Sequence, residues 1–229
     1  MPDIEFVDRM SVELIKTDFD DKTPVLAART STVGAESTPE ERDGLIRALI
    51  RDGHGVPFEH MSITFRIEAP LFVWPQIQQH RAGTSLSRES GRYRELKPRF
   101  YVPPEGRPII QVGKPMEYKI LSGTDEQHSS MAAEMGYSVH QAWTTYRVLL
   151  GEGVAREVAR MVLPMNTMSV GVMTFNARSL MHFLQLRTPH AGSHPQEEIA
   201  EIAKDMALQF AVYAPVTFDA FRKNGWIAP

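Results

Sequence analysis

The sequence predicts a single mixed α/β (α+β) domain with a mainly antiparallel sheet flanked by long helices, and three observations carry that expectation. Residues 61–69 alternate apolar and polar side chains without a break, the period of a half-buried strand with one polar face. Two long stretches, 124–150 and 195–213, place apolar residues at helical spacing. No repeat, low-complexity tract or linker interrupts residues 1–229, so the whole chain is assigned to one domain.

Taken in order, residues 3–16 read as a strand pair or a strand and turn, with Ile4, Phe6, Val7, Val12 and Leu14 as apolar positions. Residues 24–29 suit a short helix. Thr38-Pro39-Glu40-Glu41 is a helix start, with Thr38 as N-cap, Pro39 at the first helical position and Glu41 completing a capping box. Leu45, Ile46, Leu49 and Ile50 form its stripe, and Gly53 stops it. Residues 54–60 form a turn carrying His54, Glu59 and His60. Imidazole and carboxylate are zinc ligands, but these histidines stand on a Gly/Pro turn rather than four apart on a helix, so no metal site is expected.

Pro70 opens a helix running through Ile77, and Pro75 makes it begin late or bend. Residues 97–123 contain eight prolines and glycines and read as an extended connection with room for one hairpin, 103–123 being its variable part. Asp125 and Glu126 begin the first long helix. Residues 154–163 form a helix ended by Pro164, with Arg156 and Arg160 on one face. Residues 167–175 are strand-like. Residues 176–186 are helical, with Leu180, Met181, Phe183 and Leu184 inward and Arg178 and His182 on a separate stripe. Ser193 or His194 caps the last long helix, Pro195 lies in its first turn, Pro215 ends it, and residues 217–223 add a helical tail.

Composition excludes several function classes. A chain of 229 residues, 42% hydrophobic, can bury a core without staples. A net charge of −3 and a pI near 6.2 argue against a general nucleic-acid binder. The absence of cysteine removes disulfides, thiolate metal sites and any cysteine nucleophile, and points to a reducing compartment. The N-terminus lacks the basic and apolar regions of a signal peptide, and no apolar run approaches the roughly 20 residues that span a bilayer. A soluble cytoplasmic protein is expected, without membrane or nucleic-acid partners.

The stretch from Gln79 to Tyr93 gathers His80, Arg81, Arg88 and Arg92 among serines, a threonine and glycines, with almost nothing apolar. A loop of this kind is either ordinary solvated surface or, with its guanidinium forks and hydroxyls, an anion site. Neither a G-x-G-x-x-G nor a G-x-x-x-x-G-K-[ST] motif occurs, so Rossmann and P-loop nucleotide sites are not expected, and no G-x-S-x-G elbow supports a hydrolase. Arg81, Arg160, Arg178 and Arg187 stand beside apolar helical positions; any one alone is most often a snorkelling or surface-paired side chain, but four of them beside a Ser/Arg loop favour a shared anion.

His54 to His60, the loop from Gln79 to Tyr93, Arg156-Glu157-Val158-Ala159-Arg160-Met161-Val162-Leu163-Pro164, Asn176-Ala177-Arg178-Ser179-Leu180 and Leu186-Arg187 together resemble the flavin-dependent thymidylate synthases. The resemblance extends from about residue 27 to residue 221. It implies a homotetramer with active sites at subunit interfaces, FAD held without a Rossmann motif, and reductive methylation of dUMP to dTMP with methylenetetrahydrofolate and NADPH as co-substrates. By position, Arg187 is similar to the family arginine that contacts the uracil edge and is the catalytic candidate. Arg160 resembles the arginine reaching the nucleotide from a neighbouring subunit, Ser90, Gly91 and Arg92 cradle its phosphate, and Gln76, Gln79 and Arg88 complete the dUMP set. The positions that contact FAD in the family fall on Ser31, His54, Val56, Gln79, His80, Arg81, Asn176, Arg178 and His182. A structural role remains open for His54 and His182.

The chain also departs from the family pattern. Gln79 replaces the first arginine of the Arg-His-Arg signature. Eight residues rather than seven separate Arg81 from Ser90, so the loop is expected to bulge. Ser87-Arg88 stands where the family carries Asn-Glu, and His182 where an asparagine is usual. These departures leave open a different pyrimidine product, such as hydroxymethyl-dUMP or a dCMP derivative, or a relative that binds nucleotide without catalysis.

Overall fold

The unbroken alternation at residues 61–69 does produce a strand, and the largest sheet is built outward from it. In chain order the elements are β1 (Glu5–Val7), β2 (Ser11–Thr17), α1 (Thr23–Arg29), α2 (Pro39–Arg51), a 3-10 turn (Val56–His60), β3 (Ser62–Pro70), α3 (Trp74–Gln78), β4 (Thr84–Arg88), β5 (Arg99–Tyr101) and β6 (Ile110–Val112). There follow β7 (Lys119–Leu121), α4 (Asp125–Gly151), α5 (Arg156–Ala159), a second 3-10 turn (Arg160–Val162), β8 (Met168–Asn176), α6 (Ala177–Arg187), α7 (Glu197–Tyr213) and α8 (Pro215–Lys223). This computed structural model describes residues 3–30, 34, 37–114 and 117–229. The architecture is mixed α/β, as expected. The chain divides into two units, one of residues 1–9, 70–72 and 89–169, the other of residues 10–69, 73–88 and 170–229.

The second unit holds the four-stranded sheet, ordered β2-β3-β8-β4. Having a strand on either side, β3 is more deeply buried than a strand with one solvated face. Ile63, Phe65 and Ile67 are fully buried, and on the opposite side Thr64 is buried too, its hydroxyl 2.9 Å from that of Thr174. The buried Thr64 hydroxyl is therefore satisfied across the sheet rather than by water. Pro70 ends this strand instead of opening a helix, and Pro75 falls in the first turn of α3, where its missing N–H costs nothing.

β4 is the main feature hidden from sequence inspection. Residues 84–88 pair antiparallel with 171–175 of β8, Thr84 opposite Phe175 and Arg88 opposite Gly171. The ladder is in continuous register, so the additional residue of the signature loop does not make a bulge in it. Only Leu86 supplies an apolar inward residue, and serines occupy the outward positions, which is why the segment reads as a loop.

α6 follows β8 directly. Asn176 is its N-cap, accepting from the Ser179 N–H at 2.8 Å, and its buried face is Ala177, Leu180, Met181, Phe183 and Leu184. Phe65 of β3, Phe175 of β8 and Phe183 of α6 form a series of edge-on and tilted aromatic contacts that continues to the ring of His80. α2 has the expected capping box at Thr38 and Glu41. α7 does not have the expected cap: Ser193 Oγ donates to the Leu186 carbonyl, and Gln196 takes the N-cap position without a side-chain capping bond, its Oε1 accepting from Gln76 Nε2 instead. Pro215 opens α8.

In the first unit β1 pairs in parallel with β5, while β2 belongs to the other sheet. Residues 3–16 are thus not a hairpin, because each strand finds a partner distant in sequence. α4 starts at a capping box of Thr124 and Gln127, and its Val139, Trp143 and Tyr146 pack with Phe100 and Ala159. β6 and β7 form the hairpin foreseen in the connection. The helix expected at 154–163 shrinks to α5 and a 3-10 turn: Ala155 is extended, and Leu163 is extended as the residue before a proline must be. No helix among the described residues is long and apolar enough to cross a membrane.

Candidate active site

The last residue of α6, Arg187, is where the second unit concentrates its polar chemistry. Its Nε donates to His80 Nε2 at 3.3 Å, Nη1 to Gln76 Oε1 at 3.5 Å, and Nη2 to the Gln76 carbonyl and to Gln79 Oε1, both at 3.3 Å. These are long hydrogen bonds, near the outer edge of the useful range. All the acceptors are neutral, and Arg187 forms no salt bridge among the described residues. Burial lowers its pKa from the ordinary arginine value, but a guanidinium remains charged at any working pH. The result is a loosely held cation whose charge no carboxylate cancels.

Because His80 Nε2 accepts from Arg187, the imidazole proton is assigned to Nδ1 and the ring is neutral. Burial first, then the charges of Arg187 and His182, push the His80 pKa from 6.5 down to about 4. His182 is lowered as well, by burial and by Arg178. The sign of the linkage follows. Between pH 6.5 and about 4 an unfolded chain takes up a proton at residue 80 that the folded chain refuses, so stability falls as pH drops through that window. Full burial would set the size at about 3.4 kcal/mol, and partial exposure reduces it to roughly 1–2 kcal/mol. His80→Gln is expected to flatten this part of the melting-temperature profile between pH 7 and pH 4, and an unchanged profile would show that the ring is not held neutral.

Arg178, in the first turn of α6, is fixed more firmly. Its Nη1 pairs with Glu59 Oε1 at 2.6 Å and its Nε donates to the Pro229 carbonyl at 2.9 Å. Gly55 makes room for it: a Cβ there would lie 2.3 Å from Arg178 Nε and 2.7 Å from Cζ. An alanine at this position should push the flexible end of Arg178 aside rather than unfold the protein. On the expectation that Arg178 contacts FAD, Gly55→Ala should leave the melting temperature within about 3 °C and weaken FAD binding about tenfold, read by equilibrium titration. Unchanged affinity would dissociate Arg178 from cofactor binding.

The first unit brings together the candidates for the phosphate. Ser90 Oγ accepts from the Arg92 N–H at 3.3 Å, and Arg92 Nε pairs with Glu157 at 2.8 Å. Gly91 lies against Arg160, a Cβ there falling 3.0 Å from Arg160 Cδ. The Arg160 side chain forms no hydrogen bond or ion pair with a described residue, leaving its donors available for an anion.

Other candidates are placed apart from these groupings. Arg81 is exposed and has no ion pair or hydrogen bond with a described residue. The Arg88 guanidinium lies 5.7 Å above the buried ring of Trp74, a cation–π contact, and Gly171 opposite it is bare because a Cβ would meet that ring at 2.5 Å. Val56 is 62% exposed, so its side chain contributes little and its backbone is the accessible part. His54 is exposed, and Ser31 lies outside the described residues. Among the described residues no group of three or more His, Asp or Glu could hold a metal ion, and Glu59 is turned to Arg178. Sequence inspection missed Glu59 and Glu157 as partners of arginines, and Gly55 and Gly83 as sites of close approach. Their common signal is a small or acidic residue beside a loop, too frequent to notice without the fold.

The chain is similar to known proteins over its full length. The family model described as "Thymidylate synthase complementing protein" matches residues 13–216. A flavin-dependent thymidylate synthase from Streptomyces coelicolor is 46% identical over 238 residues, covering 100% of this chain and 97% of that protein. One from Tropheryma whipplei is 44% identical over 233 residues, covering 98% and 97%. Among solved structures, the UMP/dUMP methylase PolB from Streptomyces cacaoi, bound with 5-Br UMP, is similar with a TM-score of 0.94 and 41% identity, covering 100% of both chains. The same methylase bound with 5-Br dUMP gives a TM-score of 0.93.

Proposed function

The chain is an enzyme of the flavin-dependent thymidylate synthase family, and from this premise we propose that it converts dUMP to dTMP, with methylenetetrahydrofolate as carbon donor and NADPH as reductant. The observation that carries the reading is Arg187, a cation held only by neutral acceptors beside a neutral histidine. A pyrimidine ring that is reduced and methylated passes through anionic character at its carbonyl edge, and an uncancelled guanidinium stabilises that charge most where water is scarce. Gln76 positions the same edge. Ser90, Gly91, Arg92 and Arg160 hold the phosphate, Arg160 reaching from a neighbouring subunit of a cytoplasmic homotetramer, and Arg88 lines the approach.

The residues present fit FAD. Arg81, Arg178 and Ser31 supply donors for its phosphates, while His80, His182, Asn176, His54, the Val56 backbone and Gln79 supply donors and acceptors for the rest. When bound, the flavin supplies the hydride. The protein orients the ring, neutralises the phosphate and keeps His80 unprotonated. With no cysteine in the chain, covalent thiolate activation of the pyrimidine is not available.

The test is direct. Purified protein should be yellow, and with NADPH, methylenetetrahydrofolate and dUMP it should form dTMP. A colourless protein that takes up no FAD would rule the reading out. A second reading is favoured by PolB, a UMP/dUMP methylase that matches the full length of this chain at 41% identity: UMP is accepted as well as dUMP. Mass spectrometry of products from the two nucleotides separates these readings, and would also reveal a hydroxymethyl product or turnover of dCMP.

A further inference from the structure

We infer that Gln79 is a positioning residue for Arg187, and that it serves because it is a neutral acceptor rather than because it replaces a cation. This inference rests on the role proposed for Arg187. A guanidinium has five N–H donors, and Arg187 directs one toward Gln79 Oε1 at 3.3 Å, beside those toward Gln76 and His80. Gln79 sits at the C-terminal cap of α3, where its backbone N–H bonds to the Ile77 and Pro75 carbonyls and fixes the origin of its side chain. Gln76, three residues earlier, projects toward the same guanidinium, so one short helix supplies three of the acceptors.

The chemistry of the acceptor matters. A cationic side chain at position 79 has no lone pair to offer and would stand beside Arg187 as a like charge. A carboxylate would hold the guanidinium more tightly and cancel the charge that the ring needs. An amide oxygen orients one donor and leaves the charge intact. Its 3.3 Å bond is long enough to be exchanged for a better acceptor on an incoming nucleotide. Gln79 thus acts through Arg187, and that dependence can be measured.

A double-mutant cycle on the FAD-loaded protein provides the test, read as equilibrium dUMP affinity by calorimetry, with the phosphate-holding residues keeping binding measurable. Gln79→Met, similar in size but without the acceptor, is expected to weaken dUMP binding about five- to tenfold. In an Arg187→Met background the same change should have an effect of less than about twofold. Effects that simply multiply would overturn the inference, as would an unchanged affinity in the single variant. Gln79→Glu separates the acceptor from its neutrality. It is expected to keep KM for dUMP within about threefold while lowering kcat about tenfold or more, and a kcat equal to that of the unmodified enzyme would overturn the neutral-acceptor claim. If Arg187→Met itself retains full turnover, the proposed function of Arg187 fails. If it loses turnover while Gln79→Met acts independently, only the present inference fails.

Discussion

Arg187→Ala is expected to lower kcat for dTMP formation by about 10²–10³-fold, the usual cost of removing one preorganised charge from a reacting centre, while FAD remains bound. Arg187 ends α6 and its partners are Gln76, Gln79 and His80, so its loss opens no gap in the aromatic core. The cofactor candidates Arg178 and Asn176 keep their own contacts to Glu59 and to the Ser179 N–H. A flavin spectrum identical to that of the unmodified protein, with turnover nearly abolished, is the expected pair of results. Retained turnover would remove Arg187 from the catalytic role, whatever else the site does.

Gly83→Ala should produce the largest loss of stability among the substitutions considered. Gly83 has φ +62, a backbone conformation that alanine adopts at a cost of about 1 kcal/mol. It also faces the start of α6: an added Cβ would fall 2.3 Å from both Asn176 Nδ2 and Ser179 Oγ. These atoms belong to the cap of α6 and to its anchor, since Asn176 Oδ1 accepts from the Ser179 N–H and Ser179 Oγ donates to the Ala82 carbonyl. Losing the cap adds about another 1 kcal/mol, for a total of about 2–3 kcal/mol and a drop of roughly 5–10 °C in Tm. Gly106→Ala is a suitable control, because a Cβ at that position meets nothing within 4 Å. If both variants melt alike, the docking of the signature loop on α6 is not what stabilises this part of the sheet.

The two variants read different parts of one arrangement. The Gly83 turn presses the loop preceding β4 against the N-terminus of α6, and Arg187 meets the end of α3 at the other end of that helix. α6 is the element that ties the candidate residues of the second unit together. It carries Arg178 and Arg187 itself, and His182 between them lowers the pKa of His80 through its charge.

Much of this was legible in the chain. Binary patterning located β3, β8, α4, α6 and α7, because burial of a regular element imposes a period on its sequence. Thr38 and Glu41 fixed the start of α2, because a cap is a local bond between residues three apart. The motif residues identified the family. What failed did so for identifiable reasons. β4 has too little apolar content to announce itself, since its stability comes from pairing with β8 along one edge. β1 and β2 are adjacent in sequence but pair with β5 and β3, and strand partners are set by tertiary contacts. Ser193, a sound N-cap by residue type, was claimed by the Leu186 carbonyl instead.

By itself, then, the sequence determined the mixed α/β class, most of the elements, the exclusion of thiolate chemistry and the arginines and histidines from which we propose the site is built. Only the tertiary structure decided how those residues are paired. Arg178 is paired with Glu59, Arg92 with Glu157, and Arg187 with no carboxylate among the described residues. The glutamine that looked like a missing cation is an oxygen pointed at Arg187, more than 100 residues along the chain. A charge acquires its chemical meaning from the groups within a few ångströms, and folding brings those groups from segments whose local sequence carries no record of one another.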